Sequence, residues 1–376
     1  MWAILMIVLF FSAFAGIIYL INRIGKFGFL NKITKGKKWL RILISAVLVC
    51  GITVILWVAW GSMNAIVCIM HLIIFWLISD GIFALIKKRR KRSLKRYYAG
   101  AVALVFTIGY LGSGWYLAHH VWETDYQIQT DKEVGSLRVA VFADSHVGTT
   151  FHGEGFAEHM KTIEEQHPDV VLIVGDFVDD DTTKEDMIAC CKALGELDTT
   201  YGVYYVFGNH DKGYYPPEYR GYDGNDLIVE LEKNQVHVLQ DEVELIADKF
   251  YIIGRQDKSE EYAEKRATME ELTANLDPDK FSIVLDHQPQ DYAAQQNVNV
   301  DLVLSGHTHG GQLFPLMTIE NLTKMTPDDR VYGYEQRENT NFIVTSGISD
   351  WAIKFKTGCK SEYLMIDIER KLKRCI

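Results

Sequence analysis

Cysteine is scarce in this chain of 376 residues, which holds six. Cys50 and Cys68 fall in apolar runs, Cys190 and Cys191 are neighbours, and Cys359 and Cys375 stand near the C-terminus. These spacings give no disulfide framework. None lies beside a candidate ligand, which argues against a thiolate-built structural zinc site. Acidic side chains are missing from the first third. Up to His120 there is Asp80 alone, against fifteen of the 39 Lys and Arg residues. The remainder reverses this, with 24 basic and 48 acidic residues and a formal net charge of −24. So acidic a stretch lacks the basic footprint that nucleic-acid binding needs, and it concentrates cations. Low-complexity tracts and internal repeats are absent as well.

Long apolar runs are plentiful. Trp2–Ile21, Ile42–Trp60, Ala65–Ile86 and Ala99–Ala118 each hold about the 20 residues that span a bilayer. The first lacks the basic start of a signal peptide and reads as an uncleaved helix. Trp39, Trp57, Trp60, Tyr97, Tyr98, Trp115 and Tyr116 sit near run ends, as interfacial aromatics do. All basic residues of this part lie in Arg23–Arg41 and Lys87–Arg96. Positive loops stay cytoplasmic, so the expectation is a multi-pass membrane protein whose N-terminus and whose chain after His120 are outside. Asp80 is expected near the inner interface beside Lys87 and Lys88. The expected organisation is a four-helix transmembrane region over 1–120, a polar connector over 121–136, and a second domain over 137–376.

That second domain alternates two periodicities. Strand patterns fall at Arg138–Ala143, Val170–Val174, Val203–Phe207, Val236–Leu239, Phe250–Gly254, Ser282–Leu285, Asp301–Leu304, Asn341–Thr345 and Glu362–Ile368. Helical patterns fall at Glu154–Gln166, Lys184–Leu197, Asp226–Lys233, Arg266–Asn275 and Asp291–Asn297. Such alternation predicts an α/β domain with partly parallel sheets. Tyr214–Gly224, with two prolines and four tyrosines, reads as an ordered surface loop, either a lid or a plain connector.

Five of these strands end in polar, ligand-type residues. Arg138–Ala143 runs into Asp144-Ser145-His146, and Val170–Val174 into Gly175-Asp176. Val203–Phe207 runs into Gly208-Asn209-His210-Asp211, and Ser282–Leu285 into Asp286-His287. The fifth precedes Ser305-Gly306-His307-Thr308-His309-Gly310-Gly311-Gln312. Each pattern alone is an ordinary turn or cap. Together they deliver Asp, His and Asn side chains to the carboxyl ends of strands, where open α/β sheets bind ligands. Carboxylate, amide and imidazole without thiolate suit manganese, iron or zinc. Seven ligands exceed one tetrahedral site, and one carboxylate can bridge two ions roughly 3.5–4 Å apart, a spacing used for in-line displacement at phosphorus.

The series Asp-x-His, Gly-Asp, Gly-Asn-His-Asp, a lone His and Gly-His-Thr-His resembles the calcineurin-like metallophosphoesterase family over about Leu137 to Ile368. The final Gly-Gly-Gln and the apolar helices resemble its membrane-anchored bacterial branch. The resemblance implies a four-layer α/β/β/α sandwich. It implies two divalent metal ions, one held by Asp144, His146 and His309, the other by Asn209, His287 and His307, with Asp176 bridging. His210 would face the substrate phosphate rather than a metal. Arg255 stands either near that phosphate or in a surface ion pair. The acidic run Asp179-Asp180-Asp181 departs from the pattern and reads as solvated or helix-capping, with a further cation site as the remaining alternative.

The implied activity is hydrolysis of a phosphate ester or pyrophosphate, lipid-linked or envelope-derived, by a metal-activated hydroxide attacking phosphorus in line. His210 would protonate the leaving group or stabilise its charge. The alternatives are a catalytically silent metal-binding module on a membrane anchor, and a transport or scaffold protein. The second is disfavoured by spans that hold one acidic residue.

Overall fold

The structure, a computed structural model, describes residues 2–90, 96–262, 265–324 and 326–371, with side chains from residue 11 onward. Residues 91–95 of the basic run, and Cys375, lie outside the described residues. The chain divides into two compact units, Met1–Gly114 and Trp115–Ile376.

Every apolar run is helical. Helix α1 spans Trp2–Ile24, a short α2 Gly28–Ile33, α3 Lys38–Arg90 and α4 Tyr98–His119. Helix α3 carries both middle runs in 53 residues and breaks only at Gly61, whose φ of 82° and ψ of 169° leave the helical region. Of the four expected runs, the first is helical over all of Trp2–Ile24, with side chains described from Phe11 onward. Among the described residues two helices, α3 and α4, are long and apolar enough to cross a membrane. Gly61 divides the two middle runs, so α3 is two helices joined across a kink, and Val49 of one packs in the same cluster as Ile69 and Ile73 of the other. Asp80 also finds a different partner. It pairs with Arg23 at 2.7 Å and accepts the hydroxyls of Tyr19 and Tyr97 at 2.6 and 3.0 Å.

The second unit opens with β1 (Val121–Thr130), β2 (Ser136–Phe142), α5 (Gly153–Glu164), β3 (Val170–Val174), α6 (Lys184–Gly195), β4 (Val203–Val206), α7 (Gly224–Lys233) and β5 (Val236–Val238). It continues with β6 (Glu242–Ile246), β7 (Phe250–Gly254), α8 (Met269–Thr273), β8 (Phe281–Leu285), α9 (Tyr292–Asn297) and β9 (Leu302–Ser305). It closes with α10 (Leu316–Thr323), β10 (Gly333–Arg337), β11 (Thr340–Val344) and β12 (Ser361–Arg370). One six-stranded sheet runs β1-β12-β2-β3-β4-β5, the other β10-β11-β9-β8-β7-β6.

Side-chain alternation sets the layers. Along β2, Val139 and Val141 point into a core shared with Ile283, Leu285, Leu302 and Leu304 of the other sheet. Ala140 and Phe142 point the opposite way, against α5 and α6 through Phe156, Met160 and Leu194. Val284 and Val303 face a third core with Met269 and Tyr292 of the outer helices. Successive strand residues face opposite sides, so each central strand is apolar on both faces, and the layers run helix, sheet, sheet, helix.

Residues 121–136 are not a connector. Val121–Thr130 forms a full edge strand parallel to β12. Its composition hid this, because an edge strand leaves one face to solvent and here only Ile128 and Thr130 are buried.

Candidate metal centre

Each ligand-type residue lies at the carboxyl end of its strand. Asp144 and His146 follow β2, Asp176 follows β3, and Asn209 and His210 follow β4; His287 follows β8, and His307 and His309 follow β9. The backbone there is strained. Asp144, His146, Asp176, His307 and His309 all have positive φ, at 55°, 35°, 50°, 71° and 48°. A non-glycine residue in that region costs of order 1–3 kcal/mol and persists where its surroundings fix it, typically at functional sites. Close approach demands glycine beside these residues. A Cβ on Gly306 would lie 2.6 Å from an Asp144 carboxylate oxygen, and one on Gly208 would collide with the Asp176 carboxylate.

The side chains gather into two groups. Asp144, His146 and His309 offer ligand atoms within 4.8 Å of one another, and so do Asp176, His287 and His307. Asn209 joins the second group, its Oδ1 2.8 Å from His307 Nδ1. Asp176 touches both groups, with one carboxylate oxygen 3.1 Å from His287 Nε2 and 3.6 Å from His146 Nε2. Outer hydrogen bonds set the imidazole tautomers. His287 Nδ1 donates to the Val174 carbonyl at 2.7 Å, and His146 Nδ1 to Asp179 at 3.2 Å. The Nε2 atoms of both rings are buried with no hydrogen-bond partner, as is Nδ1 of His309. Buried polar atoms without partners are rare and call for a reason. Lone pairs converging on two carboxylates are what a pair of divalent cations requires, and the oxygen-nitrogen donor set fits them.

Electrostatics follow from burial and neighbours. Burial pushes the Asp144 carboxyl up. Asp176 is buried as deeply, but His287, and after it His146, outweighs burial and holds its carboxyl well below the ordinary range. Burial lowers the His210 imidazole, against the pull of Asp176. The His210 ring stands 5.1 Å from that of His146, and its backbone N–H donates to Asp176 at 2.9 Å.

Several supporting residues escaped the sequence reading. The buried Asp211 carboxylate accepts the backbone N–H groups of Asp176, Val178 and Gly208, at 2.9, 2.9 and 2.6 Å. It thereby ties the turn after β3 to the turn after β4. Asp179 is not solvated; it is buried and accepts His146 Nδ1–H. Asp180 accepts the backbone N–H groups of Tyr214 and Tyr215, which anchors the tyrosine-rich loop. From that loop the Tyr214 hydroxyl accepts Asn209 Nδ2–H at 2.8 Å, and its ring meets His210 edge-on at 5.0 Å. Trp351 flanks His210 from another loop at 5.1 Å. Sequence spacing carries no signal for Trp351, whereas the acidic run was visible and misread.

The surface ion pair expected for Arg255 is a buried one. Arg255 Nη1 donates to Asp286 at 2.9 Å and to Asp291 at 2.8 Å, with Nη2 donating to the Ala267 carbonyl. Arg266 donates to the other Asp286 oxygen. These contacts engage Arg255 in neutralising Asp286, the residue before His287.

The profile of the calcineurin-like phosphoesterases matches residues 137–311, a span that takes in all five ligand turns. An uncharacterized metallophosphoesterase of Helicobacter pylori is 30% identical over 284 residues, 73% of this chain and 70% of its own. The chain belongs to the calcineurin-like phosphoesterase family. It is thus a metal-dependent phosphoric ester hydrolase by family. A metallophosphoesterase of Campylobacter jejuni is 28% identical over 317 residues, 81% of this chain and 79% of its own. A Danio rerio protein named a transmembrane protein with metallophosphoesterase domain is 29% identical over 257 residues, 65% of this chain and 57% of its own.

Proposed function

We propose that the second unit hydrolyses a phosphate ester or pyrophosphate at a dinuclear metal centre, and that the helices of the first unit hold it in a membrane with the site outside the cytoplasm. The observation that carries the reading is the pair of ligand groups meeting at Asp176, with the unpartnered Nε2 atoms of His146 and His287 directed at its carboxylate. Asp144, His146 and His309 would hold one cation, Asn209, His287 and His307 the other, and Asp176 both. When bound, two divalent cations supply Lewis acidity at phosphorus and a nucleophilic water at neutral pH.

The protein's own residues do the rest. Asp179 and the Val174 carbonyl keep His146 and His287 in the tautomers that leave Nε2 free. Asp211 holds two ligand turns in register, so that little reorganisation accompanies the reaction. His210 presents a ring N–H to the leaving oxygen and gives it a proton or stabilises its charge. Its flanking aromatics, Tyr214 and Trp351, restrict where that ring points.

The test compares Asp176→Ala with Asn209→Ala by metal analysis and by turnover of an aryl phosphate with manganese added. Asp176→Ala is expected to deplete both ions, and Asn209→Ala mainly one. Two tightly bound ions per chain in Asp176→Ala would remove the bridging role. Turnover absent from a fully loaded wild-type protein would favour the silent metal-binding module. Topology has its own assay. A reporter active only outside the cytoplasm, fused after Ile376, is expected to be active.

A further inference from the structure

The membrane helix enters the second unit at the same sheet end that carries the metal ligands. Helix α4 ends at His119, and β1 begins two residues later at Val121, which pairs with Ser361 at the start of β12. Strand β12 is antiparallel to β2 in a register that pairs Leu364 with Val141. Carried three residues further, that register sets Ser361 level with Asp144. Val121 and Asp144 are then two strands apart, about 10 Å across the sheet, whereas the opposite end of seven-residue β2 lies roughly 20 Å away along the strand. The join is fixed by side chains: Ser361 Oγ donates to the Ala118 carbonyl at 2.7 Å. Trp115 and Tyr116, in the last turns of α4, are exposed, as aromatics at a bilayer surface are.

Apolar side chains are exposed along the same rim. After His309-Gly310-Gly311-Gln312 come Phe314 at 60% exposure and then α10, with Leu316, Ile319 and Leu322 all exposed, Leu322 to 79%. None of the residues of α10 is buried. This segment is laced to the loop leading into β12: Thr357 and Gly358 donate to the Gln312 carbonyl at 2.8 and 3.0 Å, and Phe314 N–H to Thr357 Oγ1 at 3.0 Å. Cys359 Sγ reaches the His309 carbonyl at 3.2 Å. Exposed Trp351, against His210, belongs to that loop too. Exposed apolar side chains thus stand beside the proposed acid His210 and along α10, at the sheet end where residues 115–119 join the strands. A patch of this kind marks an interaction surface, and it shares its sheet end with exposed Trp115 and Tyr116, aromatics of the type that line a bilayer surface, which points to lipid as what covers it.

We infer that Phe314 and α10 seat in the lipid leaflet, so that the metal centre opens at the bilayer surface and takes a phosphate ester carried by a lipid. The inference rests on the reading of this site as a phosphoesterase. The polar ester meets the ligand groups while the acyl part of the substrate stays among Leu316, Ile319, Leu322 and the neighbouring lipids, so the substrate need not leave the membrane.

The full chain in phosphatidylcholine–phosphatidylglycerol vesicles provides the test. A photo-crosslinking amino acid at position 322 is expected to label lipid at least tenfold more than the same group at position 229, where exposed Val229 of α7 serves as control. Equal labelling at the two positions, or adducts at 322 with a second copy or another protein instead of lipid, would overturn the leaflet seat. Kinetics give the second arm. Ile319→Asp/Leu322→Asp is expected to lower hydrolysis of vesicle-borne phosphatidic acid at least tenfold and to leave para-nitrophenyl phosphate within twofold. Equal loss on both substrates, or none on phosphatidic acid, would overturn delivery from the leaflet. A wild-type protein that labels lipid at 322 but turns over neither ester would instead strike the phosphoesterase reading and spare the seat.

Discussion

His146 turns Nδ1 to the Asp179 carboxylate at 3.2 Å, and both side chains are buried. Burial alone would raise the Asp179 carboxyl, but the hydrogen bond and charge of His146 outweigh it and hold the carboxyl below its ordinary range. The ring is therefore held with Nε2 directed at Asp176. Asp179→Asn keeps the shape and removes the charge that fixes the tautomer. Losing such a partner of a ligating histidine typically costs about 10–100-fold in metal affinity. The expected outcome is that one ion is lost at low metal concentration while the other stays. A titration with manganese that gives two wild-type affinities would show that Asp179 only fills space.

Tyr214 does the corresponding work for Asn209. An amide can present oxygen or nitrogen to a cation, and only oxygen binds. Accepting Asn209 Nδ2–H at 2.8 Å, the Tyr214 hydroxyl settles which end faces inward. Tyr214→Phe keeps the ring against His210 and deletes this acceptor. It is expected to weaken one ion by about tenfold, with the His210-dependent steps preserved once metal is saturating. An unchanged metal titration would leave Tyr214 as an aromatic neighbour only.

The candidate ligands were legible because strand periodicity located five carboxyl ends and the turns there carried their own ligand chemistry. Residues such as Asp211 and Tyr214 were not, since a hydrogen bond across 35 positions, like that between Asp176 and Asp211, leaves no spacing to read. Asp179 was misread because an acidic triplet looks solvated until a buried histidine is found above it. Edge strand β1 was lost to its polarity, and α10 to its length of eight residues and its exposed apolar face, neither of which gives a clean period. Gly61 shows the limit in the apolar part, where composition located the runs but not that a single residue would make the break between two of them.

Arg255 holds a buried ion pair next to a candidate ligand turn. Its guanidinium donates to two carboxylates, and Asp286 is buried beneath His287. Removing one partner of a buried ion pair costs roughly 3–5 kcal/mol, because the other charge is left uncompensated. Arg255→Ala is expected to lower the thermal midpoint of the second unit by roughly 10 °C. At a temperature where the variant is folded, KM for an aryl phosphate should change little. A raised KM with an unchanged midpoint would return Arg255 to the phosphate.

His210 carries the remaining chemical question, and leaving groups can answer it. If its ring N–H protonates the leaving oxygen, His210→Ala should lower kcat about 10²–10⁴-fold for an alkoxide leaving group. An aryl phosphate releases an anion that is stable without a proton, so the same change should cost far less there. Metal content should be nearly unchanged, because every proposed ligand remains. The pH profile adds an independent sign. Burial lowers the His210 imidazole below its ordinary value of 6.5. The acid form is then lost as pH rises through a value below 6.5, and the wild-type rate on the alkoxide ester should fall across that window while the aryl ester stays flat. In His210→Ala the falling limb should vanish. Equal losses on both esters would leave charge stabilisation at the phosphoryl oxygens as the role of the ring. No loss on either, with metals intact, would take His210 out of the reaction altogether.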